Sequence, residues 1–339
     1  MLSETNEWKS KIKADPTGWL LEKNNPSIRY FTLCNIFEQN FSNSEVKKLK
    51  DEIMVTRVVP IIMDKQNNEG CWGIPENFYV KSKYKGTVWQ IIILAELGAN
   101  GNDKRIKKAC EFILKYSQDR KSGGFCYRGD KNLGGNSDCI LPCLTANMVW
   151  SLIRFGYFED PRVQHGINWL IKYQRFDDGI DNAPKGWFYD KFEACWGKHT
   201  CHMGVVKTLK ALAETPINKR SDEVKNTIEK GAEFLLKHHI HKRSHNLNQI
   251  SKPEWLQFGF PLLWNTDVLE ILGILSKLAY KDKRMQEAMN LLISKQNNEG
   301  KWISETKFHG RFIVNLEKKN KVSKWVTLNA LRVLKDYYI

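Results

Sequence analysis

The sequence predicts an all-α protein, an (α/α)6 toroid of six inner and six outer helices, from three observations. First, a phrase of the form Gln-x-x-x-Gly-x-Trp occurs at residues 66–72 and again at residues 296–302, each time after an amphipathic helix. Second, apolar helices recur at steps of 58, 58, 58, 63 and 61 residues. Third, helices that are apolar nearly all round alternate with helices that carry one apolar stripe. Self-similarity at such a period indicates a repeat of helix pairs.

The inner helices are the apolar ones, and they begin near Arg29, Thr87, Thr145, Met203, Thr266 and Thr327. Residues 87–97 and 145–155 have apolar side chains on nearly every face, as expected of helices that are buried on both sides. Gly98 and Gly156 follow them directly. Glycine is favoured after a helix because a left-handed backbone costs it little. Fainter copies of the repeated phrase begin at Gln118 and Gln174.

The outer helices alternate with the inner ones, and residues 103–118 are the clearest example. Their apolar side chains recur at helical spacing on one stripe, with lysines elsewhere, which is typical of a half-exposed helix. Asp103 and Asp160 are predicted N-caps, and Pro161 fits a first helical turn. Residues 3–14 and 324–337 supply the sixth pair if the chain ends meet. We therefore expect one toroidal domain over residues 1–339, with an open superhelical stack as the alternative.

Composition narrows the class of protein. The 339 residues carry a net charge of +15, and the N-terminus has no hydrophobic signal core. The apolar runs are shorter than the roughly 18–20 residues that span a membrane. The eight cysteines are expected to be reduced thiols, and the protein is expected to be cytoplasmic. The positive charge indicates either a lysine-coated surface or an anionic partner. Without a recognisable DNA- or RNA-binding motif, nucleic acid is not the expected partner.

The predicted loops that lead into the inner helices are long, whereas the opposite turns at residues 99–102 and 157–159 are short. Long loops on one face mark the expected working end. Cys143 and Cys201 occur in these loops one repeat apart, so they occupy equivalent places on neighbouring helices. With His202, and with Cys139 or His199 as further ligands, they form a set that suits zinc. The alternative is that these cysteines are small core residues and that His202 is a hydrogen-bonded core histidine.

Carboxylates offer a rival chemistry. Asp178, within the acidic segment 177–181, could bind magnesium together with a diphosphate, or it could be a solvated turn residue. Asp267 stands at the start of an inner helix and is the best single candidate for a catalytic acid held protonated in an apolar cavity. It could equally cap that helix.

Two further groups of residues predict substrate binding. Lys242, Arg243 and His245 belong to a basic cluster after an outer helix, where they could bind phosphate or simply complement the helix dipole. Trp196 and Trp264 belong to a set of aromatic residues that could wall a cavity for a long apolar chain and steady a carbocation. Core packing is the alternative explanation for these aromatic side chains.

The Gln-x-x-x-Gly-x-Trp units resemble those of the terpenoid cyclase and protein prenyltransferase superfamily, over roughly residues 26–334. The resemblance implies an α/α toroid and an enzyme acting on a hydrophobic substrate, such as an isoprenoid diphosphate. It also implies a zinc site of the Asp-x-Cys type, although Asp138 and Cys139 are adjacent here. A prenyltransferase-like protein would also have a helical protein partner.

The cysteine and Cys-His pair formed by Cys143, Cys201 and His202 also resembles the zinc ligands of lanthionine cyclases, but the glycines of that family are missing. In either family the metal lowers the pKa of a substrate thiol. Two other classes stay open, because a fold does not fix a function. One is a metal-free isoprenoid cyclase that uses Asp267 or Asp178. The other is a toroid that binds a ligand or protein without catalysis.

Overall fold

The computed structural model describes residues 4–40, 42–79, 84–179, 184–197, 199–306 and 311–339. Most elements in these ranges are α-helices. They are α1 Thr17–Leu20, α2 Pro26–Phe31, α3 Ser44–Val55, α4 Val58–Met63, α5 Thr87–Glu96, α6 Lys104–Tyr116, α7 Pro142–Arg154, α8 Pro161–Tyr173, α9 Glu193–Trp196, α10 His202–Ala213, α11 Asp222–Lys237, α12 Val268–Lys277, α13 Gln286–Ser294 and α14 Lys324–Tyr338. None of the helices in the described ranges is long and apolar enough to cross a membrane.

Three small antiparallel sheets correct the all-α prediction. They pair β1 Gly129–Asp130 with β2 Gly134–Gly135, β3 Lys242–Arg243 with β4 Asn246–Ile250, and β5 Ile303–Ser304 with β6 Lys321–Val322. Gly129 faces Gly135, Lys242 faces Ile250 and Ile303 faces Val322. Most of these strands have two residues, which is too short for the period-2 alternation by which a strand is recognised in a sequence. All three hairpins lie in long loops.

The helices pack as alternating inner and outer elements. The inner helices α5, α7, α10, α12 and α14 contact one another in that order, and α14 also contacts α2. Each inner helix packs on an outer partner, which is α3 for α2, α6 for α5, α8 for α7, α11 for α10 and α13 for α12. The partner of α14 is the 3₁₀ helix Glu4–Lys11 at the other end of the chain. Buried apolar side chains from Trp8 to Leu334 form one connected core.

The Gln-x-x-x-Gly-x-Trp units join successive repeats. The Gln66 amide donates to the carbonyl of Arg105, at the start of the next outer helix, at 2.9 Å. Gln118 makes the same contact with the carbonyl of Arg162 at 2.7 Å. Gly70 lies so close to the Lys108 backbone that a Cβ would come within 2.6 Å of its carbonyl oxygen. The glutamine is therefore needed for the hydrogen bond between repeats, and the glycine is needed because a side chain would collide with the next outer helix.

The last unit makes the same contact with the beginning of the chain. The Gln296 amide donates to the carbonyl of Lys11 at 2.8 Å, and its oxygen accepts from the backbone N–H of Lys13 at 2.9 Å. A Cβ on Gly300 would meet the Ala14 carbonyl oxygen. Residues 4–14 therefore occupy, relative to the last repeat, the place that α6 occupies relative to the first.

The predicted helix ends are confirmed. Asp103 and Asp160 accept hydrogen bonds from the backbone N–H of Arg105 and Arg162 at 2.7 and 2.8 Å. Gly98 and Gly156 follow α5 and α7 closely, with φ values of +76° and +89°. The inner helices thus end in tight turns. We call the side of the molecule with the turns at residues 99–102 and 157–159 the short-turn end.

The opposite side, the long-loop end, contains the segments that lead into the inner helices. As far as these loops are described, they contact one another through aromatic rings. Tyr79–Tyr127, Tyr127–Phe192 and Tyr84–Phe312 have centroid distances of 6.2, 5.7 and 4.9 Å. Phe260, before α12, stacks on Trp325 of α14 at 4.2 Å. Aromatic side chains therefore link neighbouring long loops in the part of the chain that is described.

Candidate ligand site

A cavity of about 420 Å³ lies among the C-terminal halves of the inner helices, towards the short-turn end. Residues 259–262, which precede α12, contribute Gly259, Phe260 and Leu262 to its lining. Charged side chains dominate the remainder. The acids are Glu38, Glu96, Glu214, Glu270 and Asp336, and the bases are Arg154, Lys210, Lys277 and Arg332. The volume is typical of a small-molecule site. The lining is more polar than we expect for the predicted cavity that holds a long apolar chain.

A buried ion network holds one wall of the cavity. Lys207 of α10 is fully buried, and its Nζ lies 2.7 Å from both carboxylate oxygens of Glu270 on α12. Lys210 lies 3.1 Å from Glu270 and 2.5 Å from Glu96. Burial by itself raises the pKa of Glu270, but the two lysines outweigh it and lower that pKa overall. Glu270 is therefore an ionised carboxylate that is compensated by the two lysines.

A second acid, Glu214, is also held ionised. Lys277 lies 2.7 Å from it, and Arg154 lies 3.9 Å away. Burial acts to raise the pKa of Glu214, but Arg154 and Lys277 together bring it below its usual value. The Arg154 guanidinium also lies over the rings of Phe31 and Trp150, at 5.4 and 5.9 Å from the ring centroids. Cation–π contacts of this kind orient a guanidinium without neutralising it.

Arg332 of α14 is the least compensated cation of the cavity. Its guanidinium donates to the amide oxygens of Asn35 and Asn329 at 2.6 and 2.8 Å, and it lies 4.9 Å from the centroid of Phe31. Its Nε is buried without a hydrogen-bond partner. Among the described residues, no carboxylate lies within 4.0 Å of it. Burial and the nearby charge of Arg154 lower the pKa of Arg332 to about 10.

Asp336 lies one helical turn beyond Arg332 and also lines the cavity. Burial raises the pKa of Asp336, although Lys335 and Arg332 oppose the rise. Within the described ranges it has no ion pair at 4.0 Å or less. The cavity therefore contains one carboxyl group whose pKa is raised and two, on Glu214 and Glu270, whose pKa values are lowered. Opposite shifts of this kind separate the roles of acids in acid–base chemistry.

Asp267, the predicted catalytic acid, lies behind the cavity wall and caps α12. Its carboxylate accepts from the backbone N–H of Glu270 at 2.8 Å and of Gly259 at 3.0 Å. It is 1% exposed, and burial raises its pKa to about 7. This geometry is that of a helix cap. The same carboxyl group also anchors residues 259–262, which form the cavity floor.

The predicted zinc cysteines are partly brought together. Cys143 and Cys201 are electrostatic neighbours, and burial followed by the effect of Cys201 raises the pKa of Cys143 to about 12. Cys195, which the prediction omitted, donates a hydrogen bond to the Cys201 sulfur and lowers the Cys201 pKa to about 6 against the effect of burial. Cys139 instead shares a hydrogen bond with the Tyr127 hydroxyl.

The predicted histidine ligands lie elsewhere. The His202 ring packs against His238 and Trp255 at centroid distances of 5.0 and 4.4 Å, and burial lowers its pKa well below the usual value. His199 is exposed and packs against Gly179. In the part of the chain that the structure describes, no group of three or more His, Cys, Asp or Glu side chains is placed to hold a metal ion. The zinc site stays a prediction.

The remaining predicted site residues lie outside the cavity lining. Asp178 is 7% exposed, and its Oδ1 is 3.2 Å from His238 Nε2. His245 Nε2 contacts the Asp178 carbonyl at 3.0 Å. Asp178 is thus a buried partner of two histidines, whereas Asp181 of the same acidic segment lies outside the described residues.

The basic cluster and the two tryptophans are also placed away from the cavity. Lys242 pairs with Glu287 at 2.6 Å, and Arg243 is exposed in β3. Trp196 is 1% exposed and packs edge-on against Trp169. Trp264 is partly buried beyond Leu262. Core packing accounts for the position of Trp196.

The sequence did contain a signal for the cavity that the prediction missed. Lys207 and Lys210 interrupt the apolar helix α10, and Glu270 interrupts α12. Charged side chains are almost never fully buried unless they are paired. Their presence in inner helices therefore indicates an ion network at the centre of the helix array.

No protein-family model matches the chain, and no curated protein matches it in sequence. Three solved structures illustrate the structural matches. A protein from Actinoplanes has a TM-score of 0.46 and 12% identity, with 98% of this chain and 99% of that chain covered. The type II terpene cyclase MstE from Scytonema has values of 0.41 and 14%, with 92% and 87% covered. A family 105 glycoside hydrolase from C. acetobutylicum has 0.46 and 15%, with 99% and 95% covered. Because these TM-scores are below 0.5, the three matches establish neither the fold nor the activity of this chain.

Proposed function

We propose that this chain is a single α/α toroid whose central cavity binds a small organic anion. The toroid is supported by the six inner–outer pairs and by the contact of Gln296 with Lys11, which repeats the contact of Gln66 with Arg105. In a closed ring the last repeat meets the first in the same way that neighbouring repeats meet. An open stack has no reason to make that contact.

The inference that the ligand is an anion rests on Arg332. A guanidinium that is desolvated and lacks a carboxylate is costly, and an anionic ligand removes that cost. Its fixed, planar donors suit a carboxylate or a phosphate group. Arg154 also lies close to Phe31 and adds positive charge, and the rings of Phe31, Trp150 and Phe260 offer apolar surface to the rest of the ligand. The ligand is therefore an organic molecule with one anionic end.

The test is calorimetric titration with three anions that differ in the rest of the molecule, namely geranyl diphosphate, benzoate and glucuronate. We expect at least one of them to bind the wild-type protein. Replacement of Arg332 by glutamine should weaken that binding by about tenfold or more, since a charge-assisted hydrogen bond contributes about 1.5–3 kcal/mol. The control is Arg243→Gln, which changes an exposed arginine in β3 and should leave binding unchanged. Equal loss in both variants, or binding of none of the three anions, contradicts the proposal.

The three probes also separate the sources of the anion. Preference for geranyl diphosphate supports the isoprenoid substrate that the sequence resemblance implies. Preference for benzoate or glucuronate supports an aromatic or a sugar acid instead. In each case the site and the role of Arg332 are the same.

A second candidate function, acid–base catalysis on the bound anion, is favoured by Asp336. Asp336 lines the cavity one helical turn from Arg332, and its pKa is shifted upwards, which is the direction that a proton donor requires. Glu214 and Glu270 are held ionised and can stabilise positive charge that develops on the ligand. Mass spectrometry of the ligand after incubation tests this. We expect conversion by the wild type, and no conversion by Asp336→Asn while binding is retained. An unchanged ligand in both samples means that the cavity only binds.

A further inference from the structure

A second feature of the molecule is a basic groove on the outside, between α6 and α8. Its volume is about 1220 Å³. Six cations that line it are exposed, namely Lys104, Lys107, Lys108, Lys115, Arg120 and Lys131. None of the six has a carboxylate within 4.0 Å in the ranges that the structure covers. Arg162, which also lines the groove, is by contrast paired with Glu111 at 2.8 Å.

This charge arrangement is unfavourable for the protein alone. The N-cap Asp103 is followed by no acidic residue in the first turn of α6, and Lys104 and Lys108 are like charges separated by four positions. A cation near the positive end of a helix and a like-charge pair at this spacing both destabilise the helix. The outer helix α11 has the usual arrangement, with Asp222 and Glu223 in its first turn. An anionic partner would relieve the repulsion in α6.

We propose that this groove, which we call the α6 groove, docks an acidic segment of a partner protein. The groove contains Glu69 and Glu111 as well as the cations, and Phe112, Leu114 and Pro161 line it with carbon atoms. A nucleic-acid strand carries a phosphate at every nucleotide and would meet both carboxylates. A polypeptide can place acidic residues against the lysines and apolar residues against the carbons. Charge complementarity of this kind sets specificity and the association rate.

The test uses a fluorescent peptide of about 12 residues in which glutamates alternate with leucine or alanine. An extended chain of that length reaches about 40 Å, which exceeds the length of about 20 Å of the 13-residue helix α6. Anisotropy is measured at about 0.15 M salt, where charges further apart than about 8 Å are largely screened. The groove variant is Lys104→Glu/Lys107→Glu/Lys108→Glu. The control is Lys225→Glu/Lys230→Glu/Lys237→Glu on α11, whose three lysines are also exposed. Each triple variant lowers the net charge by six, from +15 to +9, so their net charges match.

We expect the groove variant to lose about tenfold or more in peptide affinity and the control to lose less than about twofold. Thermal melting verifies that both triple variants fold. Equal losses in the two variants would mean that net charge alone attracts the peptide, which overturns the proposal. Tighter binding of a DNA or RNA oligonucleotide of equal charge, or failure of the wild type to bind the peptide, also overturns it.

Discussion

The long-loop end and the short-turn end differ in how their side chains pack: aromatic rings meet at one end, and charged groups surround a cavity at the other. The long-loop end contains most of the cysteines, histidines and aromatic residues that the sequence analysis singled out, and aromatic rings contact one another between its loops. The short-turn end contains the cavity, where charged side chains surround an open volume. Aromatic rings pack to high density, whereas ionic groups keep partners at hydrogen-bond distance. A concentration of reactive residue types is therefore a poorer guide to a ligand site than buried charge.

The largest expected effect comes from breaking the ion network of the cavity wall. Glu270→Gln leaves Lys207 fully buried without its carboxylate. Loss of one partner of a buried pair costs about 3–5 kcal/mol, so we expect a decrease of that size in the free energy of unfolding by urea. A decrease below about 1 kcal/mol in the free energy of unfolding would show that the ion network does not stabilise the short-turn end.

The second prediction concerns packing at the long-loop end. Trp196 is almost fully buried among aromatic rings, so Trp196→Phe should destabilise the protein by about 1–3 kcal/mol. Because Trp196 does not line the cavity, the affinity for the organic anion should not change. Urea unfolding and calorimetry measure the two quantities. A large loss of anion affinity would place ligand binding at the long-loop end and reverse the comparison.

The third prediction is a pH dependence at Asp267, which anchors the segment shared by the two ends. Its pKa in the folded protein is about 7, above the ordinary 3.8, so the folded state binds the proton more tightly than the unfolded state. Its contribution to stability is therefore complete at low pH and is lost as pH rises towards 7.

Melting temperatures of the wild type and of Asp267→Asn at pH 5, 6.5 and 8 test this prediction. The stability of the wild type relative to the variant should fall across that range. A constant difference, or one that grows with pH, would mean that burial does not raise the pKa of this carboxyl group.

The smallest expected effect is at the basic cluster after α11. Lys242→Met removes the pair with Glu287, in which the Glu287 side chain is 56% exposed and the Lys242 side chain 13%. Because water screens the exposed carboxylate, the pair should contribute no more than about 1 kcal/mol to the free energy of unfolding by urea, and anion binding should be unaffected. A reduction of anion affinity similar to that in Arg332→Gln would return Lys242 to the role that the sequence suggested.

Much of the helix arrangement could be predicted because its signals are local. The Gln-x-x-x-Gly-x-Trp units, the caps at Asp103 and Asp160, and the turns at Gly98 and Gly156 each depend on contacts within a few residues or on a repeated contact. The six helix pairs follow from the same period.

The site was harder to predict because it is assembled from distant segments. Arg332 lies about 300 positions after Phe31 and Asn35 in the chain, and nothing near Arg332 marks it as buried. The pairing of Lys207 with Glu270 is also non-local, across 63 positions. His202 is adjacent to Cys201, but its side chain packs towards His238, so proximity in sequence did not bring the two to one point.

The most direct measurement is a crystal structure of the protein with whichever of the three anions binds most tightly. We expect electron density for the carboxylate or phosphate group within hydrogen-bond distance of the Arg332 guanidinium, with the organic part of the ligand against Phe31 or Trp150. Density for the anionic group at Lys242 and Arg243 of β3, with the cavity at Arg332 left without ligand, would contradict it.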